Sequence, residues 1–123
     1  MLTDMKLEES LKGYFDLLNQ GKSMDAFEKY YAEDIIMQEP GEEPRVGKEA
    51  NRKFELEYIA GIEEMHGAEI KNVATNPETG VVFIQAWMDA TFKGYGRMKM
   101  EEVQVQTWRD GQIVQERFFY NRG

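Results

Sequence analysis

The sequence predicts an α+β fold: three N-terminal helices packed on a curved, mostly antiparallel sheet. Three observations carry this. Apolar residues recur at helical spacing through the first half, they alternate at a period of two from Val81 onward, and Asp110-Gly111 separates two alternating runs as a hairpin turn does. The chain has 123 residues, which suits a single domain over 1–123 with one core.

In the first helix, Leu7, Leu11, Tyr14, Phe15 and Leu18 form the stripe, and Gly21 is a stop signal. Ser23 is placed to cap a second, short helix with Phe27, Tyr30 and Tyr31 on one face. Residues 34–39 read as a strand ended by Pro40-Gly41. After Gly47, the run KEANRKFELEYIAGIEEM reads as a third helix reaching Met65, with Ala50, Phe54, Tyr58, Ile62 and Met65 inward and Gly67 as its end. The run AEIKNVAT reads as a strand closed by the turn residues 76–80. Next, Val82, Ile84, Ala86, Met88, Ala90 and Phe92 share one face of a strand. RMKMEEVQVQTWR and QIVQERFFYN complete the meander.

Composition excludes several classes. Cysteine is absent, which removes disulfides, thiolate metal sites and cysteine nucleophiles. Fifteen basic against 23 acidic residues give a net charge of −8, which opposes binding to nucleic acid or to an anionic membrane. The opening MLTDMKLEES is too polar for a signal peptide, and no run is long enough to span a bilayer, so a soluble cytoplasmic protein is expected. With one histidine, no metal-ligand spacing exists, and His66 reads as a residue at the end of helix three. No metal or other cofactor is expected.

Several stretches are specific enough to compare with a known family. GYFDLLNQGKSMDAFEKYYAEDIIMQEP, PRVGKEA and WRDGQIVQERFFYN resemble the NTF2-like superfamily of cone-shaped α+β domains, which includes ketosteroid isomerases and SnoaL-like polyketide cyclases. The isomerase branch is the nearer in the first half: Tyr14 stands four residues before Leu18-Asn19-Gln20-Gly21, and Glu39 immediately precedes Pro40 of PGEEPRVG. The resemblance implies proton transfer alpha to a carbonyl, with Glu39 as base and Tyr14 as donor to the oxygen that becomes negative. It places the second donor near Gln104, as a neutral amide where relatives carry an acid or a histidine. It also implies a hollow lined by Phe54, Tyr58, Met88, Gln106, Trp108, Glu116, Phe118 and Tyr120. The implied ligand is a small hydrophobic or carbonyl-containing molecule, and the implied assembly is a homodimer through the outer sheet face, with Trp87 in the contact.

The residues themselves leave two matters open. Glu39 is either the first charge of a solvated acidic turn or, counting by twos from Ile35 and Met37, an inward carboxylate whose desolvation would raise its basicity. The strand face Glu102, Gln104, Gln106 and Trp108 either lines the hollow or is the solvated outside.

Overall fold

The computed structural model describes residues 2–121, with side chains from Lys6 onward. Helices α1 (Leu2–Asn19) and α2 (Ser23–Tyr30) lead into strand β1 (Tyr31–Gln38), a short β2 (Arg45–Val46) and helix α3 (Lys48–Ala60). Four strands follow: β3 (Ile62–Asn76), β4 (Val81–Phe92), β5 (Gly96–Arg109) and β6 (Gln112–Phe119). The sheet order is β2-β1-β6-β5-β4-β3, antiparallel throughout except where β1 and β6 run parallel.

Local chemistry sets the breaks. Gly21 takes a φ of +75°, and the N–H groups of Gly21 and Lys22 bond to the carbonyls of Leu18 and Leu17. This left-handed glycine cap satisfies carbonyls that the end of α1 leaves open. Asp110 and Gly111 both have positive φ, the geometry that lets a two-residue turn follow the twist of β5 and β6. The core forms where α1 and α2 lie on the sheet, with Leu11, Tyr14, Phe27 and Tyr30 against Ile35, Met37, Val82, Ile84, Trp108 and Ile113. On β4 the inward face is the predicted one: Val82, Ile84 and Ala90 are buried, and Ala86, Met88 and Phe92 are half-buried.

Two boundaries differ from the sequence expectation. Helix three ends at Ala60, and the segment expected to extend it to Met65 is the start of β3. The cause is non-local: Ile62 pairs with Phe92 and Met65 with Ala90, and the Lys93 N–H donates to the Gly61 carbonyl. His66 is therefore a strand residue, bonded to Thr91 Oγ1 at 2.7 Å, and faces no helix end. Strand β1 also starts earlier, at Tyr31, because that residue pairs with Ile113 of β6.

Gly80 closes the β3–β4 turn at a φ of +75° and accepts the Trp108 N–H at 2.8 Å. A Cβ there would collide with the Trp108 carbonyl oxygen. We expect Gly80→Ala to lower the free energy of unfolding by about 1–3 kcal/mol, read from urea denaturation. An unchanged midpoint would show that the close approach constrains nothing.

Candidate functional site

The face of β5 left open by the sequence points inward. Glu102 and Gln104 are half-buried, Gln106 and Trp108 are buried, and Val103 on the opposite face is 38 % exposed. Its inner end belongs to a closed hydrogen-bonded network. The Trp108 indole donates to Gln106 Oε1 at 2.9 Å, which fixes the orientation of that amide. Gln106 Nε2 then donates to Glu116 Oε2 at 2.6 Å and to the Tyr14 hydroxyl at 3.1 Å. Tyr31 donates to Glu116 Oε1 at 2.6 Å and lies 3.4 Å from the Tyr14 hydroxyl. Burial pushes the Glu116 carboxyl up to about 7, and the bonds from Gln106 and Tyr31 pull against that rise. Burial, with the nearby Glu116 charge, also raises both phenols.

A second arrangement sits where β1 gives way to the loop. Glu39 lies one residue beyond the strand, with its side chain 12 % exposed, following buried Ile35 and Met37. It is not a lone carboxylate. Arg45 Nη2 is 2.8 Å from one oxygen, and the Tyr120 hydroxyl donates to the other at 3.3 Å. Arg45 in turn lies 3.5 Å over the Phe54 ring and donates to Asn51 Oδ1 at 3.1 Å. Fully buried Asn51 returns bonds to the carbonyls of Arg45 and Gly47 at 3.0 and 2.8 Å. One asparagine thus holds the loop that presents Arg45 to Glu39.

Between these arrangements stands a residue that the sequence reading passed over, Glu55. The inner face of α3 carries Lys48, Asn51 and Glu55, while Ala50, expected inward, is exposed. The signal was present in the spacing of positions 48, 51, 55 and 58, but a search for an apolar stripe skips lysine, asparagine and glutamate. Burial raises Glu55 to about 7; the Glu39 charge adds to the rise, Arg45 opposes it, and Glu102 adds a further rise. Glu102 is itself raised by burial, an effect that its bond from Gln104 Nε2 at 2.7 Å reduces.

Most of the residues named from sequence therefore fall into two places. Tyr14, Gln106, Trp108 and Glu116 share the closed network, and Glu39, Phe54 and Tyr120 share the Arg45 arrangement. Gln104 is engaged with Glu102, so the amide beside Tyr14 is that of Gln106, two residues further along β5. Of the others, Tyr58 is 37 % exposed and packs on Phe92, Met88 faces Met100 across β4 and β5, and Phe118 packs against the core. A surface depression of about 700 Å³ adjoins Tyr120 and is lined also by Met98, Met100 and Asn121.

Comparison with known proteins bears on the family and the fold. A family model described as SnoaL-like domain matches residues 5–120. A solved structure from Mesorhizobium loti, described as a candidate SnoaL-like polyketide cyclase, is 33% identical with a TM-score of 0.83, over 92% of this chain and 97% of that one. A candidate isomerase from Bacillus subtilis is 19% identical with a TM-score of 0.77, over 98% and 90% of the two chains. SalBIII, described as an epoxide hydrolase/cyclase-like enzyme in pyran ring formation in salinomycin, is 21% identical with a TM-score of 0.78, over 99% and 95%. The last two likenesses show the fold alone. None of the curated proteins matches the chain. Among the described residues, no helix is long and apolar enough to cross a membrane.

The buried Glu116 carboxyl makes stability depend on pH. The unfolded chain loses this proton near 4.5 and the folded chain near 7. Between those values the folded state keeps a proton that the unfolded state has lost, so rising pH lowers stability until the penalty is complete above about 7. We expect Glu116 to contribute a fall in unfolding free energy of roughly 2–3 kcal/mol between about pH 5 and pH 8. Glu116→Gln should remove that share of the fall and leave the share of Glu55, which burial also raises to about 7; the introduced side chain can still accept from Gln106. A variant with the wild-type slope would exclude Glu116 as the cause.

Proposed function

The chain belongs to the SnoaL-like domain family, and we propose that it moves a proton alpha to the carbonyl of a small hydrophobic molecule, without a cofactor. In this reading residues 1–123 form a single domain, and the family match over 5–120 supports that. The observation that carries the reading is the Glu39 carboxylate, turned to the side of Ile35 and Met37 and held there by Arg45 and Tyr120. Glu39 takes the proton, and Tyr14 donates a hydrogen bond to the oxygen that gains charge. Gln106, whose two amide protons go to Glu116 and Tyr14, acts through Tyr14 as a positioning residue. Gln104 contributes through Glu102.

A second reading, a binding module without turnover, is favoured by one observation. The Tyr14 hydroxyl is 3 % exposed as a residue and already bonded within the network, so a ligand has to draw its proton away from Tyr31. The two readings separate on cyclohex-3-enone, whose conversion to the conjugated enone is followed by ultraviolet absorbance. We expect turnover by the wild type and a loss of about 100-fold or more in Glu39→Gln, with binding of cyclohexanone retained. Binding by both proteins with turnover by neither would establish the binding module.

We further propose a homodimer through the outer sheet face. Phe83 and Phe119 on that face are 44 % and 46 % exposed, and Val103 lies beside Phe119 in the register. Trp87 is partly covered within its own chain, by Glu69 on its indole nitrogen and Lys99 over its ring, so it forms the margin of the contact. Light scattering at micromolar concentration should give a dimer, and Phe83→Arg a monomer. A wild-type monomer would refute the assembly.

A further inference from the structure

We propose that Glu55 is the proton donor partnering Glu39, giving a proton to the same molecule from which Glu39 has taken one. This rests on the proton-transfer reading above and specifies it as a two-carboxylate reaction. Glu55 projects from the inner face of α3 next to the Asn51 bracket, and among the described residues its carboxyl has no hydrogen bond or ion pair. Ionisable groups face it from every neighbouring element. Glu39 acts on it from the β1–β2 loop, Arg45 from β2 and Glu102 from β5. Tyr58 stands one turn away on α3, and Tyr14 of α1 and Glu116 of β6 feel its charge.

Two carboxylates that feel each other's charge do not both ionise cheaply. Among the described residues the one cation that acts on Glu55 is Arg45, and its guanidinium lies 2.8 Å from Glu39. The guanidinium thus serves the Glu39 carboxylate, and burial raises Glu55 to about 7, so below that pH Glu55 holds a proton to give. Carboxyl groups pushed apart in this way divide into base and acid.

Glu39 removes a proton from the carbon alpha to the carbonyl. The C–H electron pair becomes a carbon–carbon double bond, and the carbonyl π pair moves to the oxygen that Tyr14 bonds. Glu55 then gives its proton to the gamma carbon of the dienolate, whose electrons form the new C–H bond as the carbonyl returns. Glu39 is left protonated and Glu55 ionised, and exchange of one proton with water at each resets the pair. The hydrogen in the product thus comes from an exchangeable group. A single shuttling carboxyl would return the hydrogen it removed.

The probe is cyclohex-3-enone in heavy water, beside a carbon-13 titration of the glutamate carboxyls in the ligand-free protein. We expect deuterium at the gamma carbon and a rate that declines above about pH 7. Glu55→Gln should lower kcat about 100-fold and remove that decline, with cyclohexanone affinity within about threefold of wild type. Retained substrate hydrogen, or a Glu55→Gln variant with the wild-type rate and pH profile, would overturn the proposal. The titration needs no turnover and no folded Glu55 variant: the Glu55 carboxyl should titrate near 7 in the wild type and lower in Glu39→Gln. A Glu55 midpoint near the ordinary 4.5, unmoved by Glu39→Gln, would overturn it even if Glu55→Gln failed to fold. A wild type inert on the ketone, with Glu55 titrating near 7 and coupled to Glu39, would overturn the proposed function and support the division of charge between the two carboxyls.

Discussion

The structure hangs on a carboxyl group placed where a hydrocarbon would be expected. Glu116 is 1 % exposed, and the groups that satisfy it are Tyr31 from the first strand, far away in the chain, and Gln106, its neighbour across the β5–β6 hairpin. Gln106 is oriented by Trp108 and reaches Tyr14 on the first helix. A buried polar group without partners costs more than a bonded one returns, so each member is obliged to be where it is. The helices are therefore set on the sheet by bond direction as well as by apolar contact. Apolar packing alone tolerates small slides, whereas this arrangement does not.

The inner surface is graded along β5. At the Trp108 end the polar groups of Tyr14, Tyr31, Gln106, Trp108 and Glu116 all bond to one another. Toward Glu102 the carboxyls of Glu55 and Glu102 are raised by burial, and Glu55 has no bonded partner among the described residues. Holding such groups opposes folding, which is the usual relation between a working surface and the stability of its scaffold. The closed network and the Asn51 bracket supply rigidity on either side of that strained region.

Much of the fold was legible because its signals are local. The Asp110-Gly111 turn needs two positive φ values, and the sequence offers residues that accept them. The alternation of β4 survives because one face is buried along its length. The end of helix three was harder to read: Gly61 caps it, but the apolar spacing runs on through Ile62 and Met65, and pairing with β4 makes that segment a strand. The site was legible only in part. Counting by twos puts both Gln104 and Gln106 inward, but their distances to Tyr14 depend on where α1 crosses the sheet. Likewise the sequence contains both Glu39 and Arg45, but their pairing depends on a loop shape that Asn51 imposes. Glu55 stayed hidden because inward positions were sought among apolar residues.

The parallel pairing of β1 with β6 has a consequence for the order of folding. Tyr31 meets Ile113, and Gln38 meets Arg117, so the middle of the sheet joins segments separated by most of the chain. Closing so long a loop costs entropy before any contact rewards it, and such topologies fold slowly. A ribosome must make residues 112–119 before the Glu116 carboxyl exists to receive Tyr31 and Gln106. Until then β1 and β5 each lack a neighbour, and their apolar edges are open to pairing with other chains. The interval between synthesis of β5 and docking of β6 is thus the period in which a nascent chain is most exposed to aggregation, and in which a chaperone has most to protect.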